Sequence, residues 1–248
     1  PGLVGVSSGA ALGAAIAIVG GSFFGGFPEW FGPYLLSACA FLGGLGVTAL
    51  VYRLGRRNGQ TNVATMLLAG IALTALAGSA VGLFTYLADD ATLRTLTFWN
   101  LGSLNGASYA RLWPLLIISA GVALWLPRRA KALNALLLGE SEAGHLGIDV
   151  ERLKRELVFC TALGVGAAVA AAGMIGFVGL VVPHLVRLLA GPDHRVLLPA
   201  SVLAGASLLL LADLVARLAL APAELPIGIV TAFIGAPFFL YLLLRGRA

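Results

Sequence analysis

The sequence predicts an all-α membrane protein, a polytopic bundle of transmembrane helices, and three observations lead to this fold class. Of the 248 residues, 59% are hydrophobic and only 11% are charged, whereas ordinary soluble domains carry about 25% charged residues. Apolar stretches of roughly 20 residues, enough to cross a bilayer, follow one another with charged or Pro/Gly-rich breaks between them. These stretches are continuous rather than alternating, which excludes a transmembrane β-barrel.

About eight spans are present, and no linker or low-complexity tract divides them. They are placed at 5–25, 33–53, 63–88, 109–127, 153–173, 174–190, 197–217 and 227–244. Residues 1–248 are therefore predicted to form a single transmembrane domain. Small residues spaced four apart favour close approach of helices, and this pattern is formed by Gly9 and Gly13 and continued by Gly43, Gly46, Gly78, Gly82, Gly164 and Gly173.

The basic residues lie mostly on one side of the predicted membrane. Thirteen of the 16 belong to one set of joints: Arg53, Arg56, Arg57, Arg128, Arg129, Lys131, Arg152, Lys154, Arg155, Arg187, Arg195, Arg245 and Arg247. The opposite side holds Arg94, Arg111 and Arg217. The positive-inside rule places the basic side, with both ends of this chain, in the cytoplasm. The net charge of +5 thus indicates membrane orientation and no nucleic-acid partner.

The sequence contains no motif for catalysis, nucleotide binding or metal binding. A phosphate-binding G-x-x-x-x-G-K-[ST] loop is absent, so the chain is not predicted to be an enzyme by itself. The three histidines are scattered, which predicts no metal site and no bound cofactor. Cys39 and Cys160 fall in apolar spans and are expected to be free thiols. Because a proton- or sodium-driven carrier needs carboxylates near mid-membrane, we expect the driving energy to come from elsewhere.

Two features inside the spans have a structural interpretation. Asp213 and Arg217 lie one helical turn apart at the outer end of a span, so they are expected to pair. Pro183, in "GFVGLVVPHLVRLLAG", removes a helix hydrogen bond near the cytoplasmic end of a span. A structural kink is favoured there over a gating role.

The longest polar stretch covers residues 128–156 and is cytoplasmic in this topology. Its pattern predicts a short amphipathic helix, a break at Gly139, a second short helix over Glu140–Leu146, a second glycine at Gly147, and a new helix capped by Asp149. Periodicity alone leaves two interpretations open. The segment is either a docking surface for another protein or a solvated loop that obeys the positive-inside rule.

Several segments together resemble the permease subunits of bacterial ABC importers for iron-siderophores, haem and cobalamin. They are "GVSSGAALGA" (5–14), "LLAGIALTAL" (67–76), "TFWNLGSLNGASY" (97–109), "LLLGESEAGHLGIDVERLK" (136–154), "GMIGFVGLVVPHLVRLLAGPDHRVLLPAS" (173–201) and "ADLVARLALAPAELPIGIVTAFIGAPFFLYLLLR" (212–245). Their order and spacing are those of the family over nearly the whole chain. The resemblance implies ten spans, so about two N-terminal helices are expected to precede this sequence.

The resemblance also implies partners and a location in the bacterial inner membrane, surrounded by lipid. The permease pairs as a homodimer, binds two cytoplasmic ABC ATPase subunits that use ATP and Mg, and receives substrate from a periplasmic binding protein. The loop over 128–152 becomes the cytoplasmic coupling loop. Its expected ATPase-coupling residues are Gly139, Glu140, Ala143, Leu146 and Gly147.

Other residues acquire roles through the same resemblance. Arg217 corresponds to a position that docks surface acids of the binding protein. Asn62 and Val63 fall where relatives place a cytoplasmic gate. The pathway is expected to be lined by residues 63–88, 91–103 and 227–240.

The expected function is import of a metal chelate, with haem favoured because "TFWNLGSL" looks most like haem permeases. Ferric-siderophore or cobalamin import is the alternative on the same scaffold. From other classes, a self-contained secondary carrier or channel, or a membrane scaffold without transport, would need no ATPase.

Overall fold

In a computed structural model of the protein, the described residues are 5–23, 32–57, 60–105, 107, 109–220 and 223–245. In this part of the chain the fold is almost entirely helical, as the sequence predicts. The helices are α1 (Val6–Phe23), α2 (Gly32–Gly55), α3 (Val63–Leu87), α4 (Asp90–Leu101), α5 (Tyr109–Trp125), α6 (Ala130–Leu136), α7 (Glu140–His145), α8 (Val150–Ala172), α9 (Val178–Ala190), α10 (His194–Leu218) and α11 (Ile227–Arg245). A 3-10 turn, Leu126–Arg129, leads from α5 into α6.

A small hairpin at the α2–α3 corner departs from the all-α pattern. Two strands of two residues each, β1 (Arg56–Arg57) and β2 (Gln60–Thr61), pair antiparallel with Arg56 opposite Thr61. The hairpin turns the chain directly from the end of α2 into the start of α3. No sequence pattern predicted it.

Each of the eight predicted spans coincides with a helix. Five helices are long and apolar enough to cross a membrane: α1, residues Tyr34–Gly55 of α2, α3, α8 and α10. Shorter apolar helices occupy Val178–Ala190 and Ile227–Tyr241, and α5 has 17 residues. The end of the first predicted span, residues 24–25, and the C-terminal Arg247 lie outside the described residues.

The predicted span over 174–190 differs most from the observed helix. α8 ends at the left-handed Gly173 (φ +71°), and Phe177, also at positive φ (+64°), precedes α9. The 13 residues of α9 rise only about 20 Å, which is less than the roughly 30 Å hydrocarbon core. This helix is therefore shorter than the hydrocarbon core, and the predicted span begins four residues before the helix does.

The chain divides into two compact units, and the prediction of a single domain stays a prediction. The first unit comprises Pro1–Asn100, Ala107–Ala120 and Asp149–Met174. Its core is built where α1 packs on α2, with Ala10, Ala14 and Ala40 fully buried together. A Cβ at Gly9 or Gly13 would collide with backbone atoms of α2. The close approach predicted for this glycine pair is confirmed.

The second unit comprises Leu101–Gly106, Gly121–Ile148 and Ile175–Ala248. One buried cluster joins α10 to α11 through Ala212, Ala216, Ile227 and Val230. Another joins α9 to α10 through Val182, Val186 and Leu197. The helix α6 lies against the start of α10, so the first part of the polar loop belongs to this unit.

Candidate functional site

The helices α6, α7 and α8 confirm the arrangement predicted for the polar loop. Gly139 separates α6 from α7 with φ +112° and ψ 158°, a conformation that is essentially restricted to glycine. Gly147 follows α7 at φ +81°. Asp149 then caps α8, because its carboxylate accepts from the backbone N–H of Arg152 at 2.9 Å.

The short helix α7 is held by its buried residue and exposes the others. Ala143 is fully buried; its N–H donates to the carbonyl of Gly139 at 3.0 Å, and its carbonyl accepts from Ile148 at 3.1 Å. Glu140, in contrast, is exposed, and Leu146 is 64% exposed. Of the five predicted coupling residues, Ala143 therefore fixes the helix from inside while the other four lie at the surface.

Three leucines extend the exposed surface of the loop. Leu137 and Leu138, at the end of α6, are 51% and 67% exposed, similar to Leu146 at the end of α7. They flank the two glycine breaks. Contiguous exposed apolar patches are typical of interaction surfaces, and these leucines are candidates for such a patch.

A polar cluster fixes α6 to the corner before α10. The side-chain amide of Asn134 donates to Oδ1 of Asp193 at 2.7 Å, and its oxygen accepts from the backbone N–H of His194 at 2.9 Å. Nδ1 of His194 lies 2.7 Å from the same oxygen. Since an amide oxygen only accepts, Nδ1 is the donor there. Sequence reasoning missed Asn134, whose only signal was a polar side chain in a short helix that is apolar apart from Lys131.

Asp193 links this cluster to the first turn of α10. Its carboxylate accepts from the backbone N–H of Arg195 at 2.9 Å and so caps the helix. The Arg195 N–H and the Asn134 amide, which favour the ionised form, hold the pKa of Asp193 below its usual value. The polar loop therefore begins on an anchored helix.

The two residues predicted at the cytoplasmic gate lie at the start of α3. Asn62 is the N-cap, and its side-chain oxygen accepts from the backbone N–H of Thr65 at 3.0 Å. Val63 is the first residue of the helix and is 49% exposed. The cap fixes the position of Asn62 and leaves the Val63 side chain available to a partner.

At the other end of α10, the predicted pairing of Asp213 with Arg217 is confirmed. Nε of Arg217 lies 2.8 Å from Oδ2 of Asp213. The arginine side chain is still 45% exposed, while the aspartate is 23% exposed. Glu224, which is held by the side-chain amide of Asn105, also acts electrostatically on Arg217. Arg217 is thus fixed by one acid and remains accessible.

The remaining predicted features have simpler surroundings. Pro183 lies inside α9, and the kink assigned to it stays a prediction. Cys39 and Cys160 are free and partly buried, which confirms their interpretation as free thiols. Among the described residues, no group of three His, Cys, Asp or Glu side chains could hold a metal ion.

Comparison with known proteins places the whole chain in one family. The model of the FecCD transport family matches residues 1–245. The hemin transport system permease protein HmuU of Yersinia pestis is 45% identical over 100% of this chain and 73% of its own length. The vitamin B12 import system permease protein BtuC of Escherichia coli O9:H4 is 44% identical with the same coverage.

A solved structure agrees with the sequence relatives. It shows an ABC transporter, of metal-chelate type by its description, in an inward-facing conformation. The similarity has a TM-score of 0.87 at 35% identity and covers 98% of this chain and 75% of the other. The chain therefore belongs to the FecCD transport family, as the multi-pass permease subunit of a bacterial metal-chelate ABC importer whose ATPase is a separate chain.

Proposed function

We propose that this permease carries haem from the periplasm to the cytoplasm. The observation that carries the proposal is the 45% identity to a hemin permease over the full chain, together with the haem-permease character of "TFWNLGSL". Cobalamin is the second candidate, because a vitamin B12 permease is 44% identical over the same extent. A ferric siderophore is the third, on the same scaffold.

The ATPase subunits bind the cytoplasmic loop 128–152. Support comes from the exposed Leu137, Leu138 and Leu146 beside the two glycine breaks. The anchoring of α6 through Asn134 adds to this, because a fixed helix transmits displacement that a mobile loop would absorb. Glu140 lies in the first turn of α7, where its charge also suits the helix dipole. Closure of the ATPase pair on ATP thereby acts on the permease through this loop.

The permease works as a homodimer whose contact includes α3. Only Met66, Gly70 and Ala77 of this 25-residue helix are buried. A Cβ at Gly78 or Gly82 would meet no heavy atom within 4 Å, so the close approach predicted for these glycines is not made within the described chain. Exposed small residues four apart are suited to a second helix, and another copy of this chain supplies one.

Arg217 docks the periplasmic binding protein on the outer face. Its guanidinium is oriented by Asp213, and its side chain remains 45% exposed. A fixed cation of this kind can still bind a second carboxylate.

Both ends of this chain lie in the cytoplasm. This orientation is supported by the 13 of 16 basic residues on that side.

The function is tested by reconstitution in liposomes with the ATPase and the binding protein. ATP-dependent uptake of haemin, ferric siderophore and cyanocobalamin is measured side by side, and haemin is expected to be transported fastest. Faster cyanocobalamin or siderophore uptake would replace the proposed cargo. Uptake that continues without the ATPase would instead indicate a secondary carrier.

The docking role of Arg217 is tested by charge reversal. Arg217→Glu is expected to weaken binding of the loaded binding protein to the complex in nanodiscs. Asp213→Asn is the matched control, because it removes the internal ion pair but keeps the cation. Loss of binding in both variants to the same extent would show that the pair acts only on local structure.

A further inference from the structure

A polar cluster connects the α2–α3 corner to the first turn of α8. The backbone N–H and the hydroxyl of Thr61 both donate to Oε2 of Glu151, at 2.9 Å and 2.6 Å. Nζ of Lys154 donates to the carbonyl of Thr61 at 3.2 Å and lies 3.4 Å from Oε1 of Glu151. All three polar groups of Thr61 are therefore bound by one turn of a helix about 90 residues further along the chain.

The cluster is partly shielded from water, which strengthens its hydrogen bonds. Thr61 is 5% exposed, and the side chains of Lys154 and Glu151 are 12% and 36% exposed. Hydrogen bonds to a charged group are about twice as strong as neutral ones, and three of these bonds involve a charged partner. Exposed surface ion pairs, in contrast, contribute little. We therefore expect this contact to stabilise the attachment of β2 to α8.

The corner that carries Thr61 is continuous with the candidate gate. Thr61 is the last residue of β2, and the next residue, Asn62, donates its N–H to the carbonyl of Gly55 at 2.9 Å. Asn62 also caps α3 and precedes Val63. At Gly55 an added Cβ would collide with Met66, so the corner is tightly packed against the first turn of α3. A displacement of Thr61 is therefore expected to move Asn62 and Val63, the candidate gate residues, with it.

The other side of the cluster is continuous with the coupling loop. Glu151 and Lys154 lie one turn apart at the start of α8, which Asp149 caps two residues after Gly147. We propose that Glu151 and Lys154 are positioning residues that fix the start of α3 to the start of α8, so that displacement of the coupling loop moves the cytoplasmic gate at Asn62 and Val63. The inference rests on the proposed coupling role of the loop and on the predicted gate at Asn62 and Val63.

The proposal is tested with Thr61→Val and Glu151→Gln in the full importer, reconstituted in liposomes with haemin as the transported probe. The measured quantity is haemin taken up per ATP hydrolysed. It is expected to fall about tenfold, the effect of losing a hydrogen bond to a charged group, while ATP hydrolysis continues. A destabilised but correctly coupled permease would lose both activities in proportion.

Thr48→Val is the matched control. Thr48 is as buried as Thr61, at 2% exposed, but within the described residues its hydroxyl donates to its own helix, to the carbonyl of Gly44 at 2.8 Å. It is expected to keep the wild-type ratio of uptake to hydrolysis. If Thr61→Val and Glu151→Gln match Thr48→Val in this ratio, the proposed coupling between α8 and the gate is overturned.

A second measurement does not depend on the cargo. Hydrogen exchange of the Thr65 and Met66 amides is compared with and without ATP bound to the associated ATPase. ATP is expected to change exchange in the wild type and in Thr48→Val, but not in Glu151→Gln. If haemin is not transported but the exchange at Thr65 and Met66 still depends on ATP in this way, the proposed cargo is wrong and the inference stands. If ATP has no effect even on the wild type, the inference fails.

Discussion

Gly139 gives the sharpest test of the coupling loop, because its substitution changes conformation without adding a contact. A Cβ at this position would meet no heavy atom within 4 Å, so Gly139→Ala creates no clash. Its φ of +112° and ψ of 158°, however, cost a non-glycine residue about 1–3 kcal/mol. At about 1.4 kcal/mol per factor of ten, this cost corresponds to a factor of roughly 5 to 150. The affinity of the permease for the ATPase is expected to fall by that factor, because α7 no longer holds its docking orientation.

Gly144→Ala is the control for this experiment. Gly144 also has open space around its Cβ position, but it lies inside α7, where alanine is favoured over glycine by about 0.5–1 kcal/mol. The affinity of each permease variant for the purified ATPase is measured in nanodiscs, with helix content followed by circular dichroism. Equal affinities for Gly139→Ala and the wild type would refute the claim that the glycine break positions α7.

Two further predictions concern the fold. Gly13→Ala would place a Cβ against the backbone of Cys39 and is expected to lower the stability measured by thermal unfolding by about 1–3 kcal/mol. Gly20→Ala is the control and is expected to be neutral or stabilising, because its Cβ would meet no atom within 4 Å. Equal stabilities of the two variants would contradict the close approach of α1 and α2. Because the pKa of Asp193 is lowered in the fold, its stabilising effect is complete above its usual pKa of 3.8 and is lost as pH falls through the folded value. Asp193→Asn is therefore expected to be less stable than the wild type at neutral pH and to converge with it in acid, whereas a constant difference across the titration would show that the carboxylate charge plays no part.

Sequence reasoning located most of the fold because membrane-spanning helices and their ends follow local rules. Apolar length located eight of the eleven helices in the described residues, and the capping pattern located the start of α8 at Asp149. Sequence reasoning was less successful for the span predicted at 174–190. The apolar run continues through Gly173 and Phe177, although both residues adopt positive φ. Hydrophobicity does not distinguish a helix from an apolar turn, so this boundary required the structure.

The candidate site also contains features that the sequence predicted and features that it could not predict. The breaks at Gly139 and Gly147 and the pair of Asp213 with Arg217 were predictable, because glycine conformation and contacts between residues four apart depend only on nearby chain. The bonds of Asn134 to Asp193 and of Thr61 to Glu151 were not, since their partners are 59 and 90 residues apart.

The sequence by itself thus determined that this protein is a helical membrane permease, where its polar loop lies, and which local motifs shape that loop. Only the tertiary structure decided what the loop and its flanking helices are attached to. The physical reason is that a polar side chain in a helix satisfies its hydrogen bonds with whichever element packs beside it, and that neighbour is chosen by packing over the whole chain. The charged residues after Gly147, which mark a cytoplasmic segment in the sequence, include in the fold the two side chains that hold the start of α3.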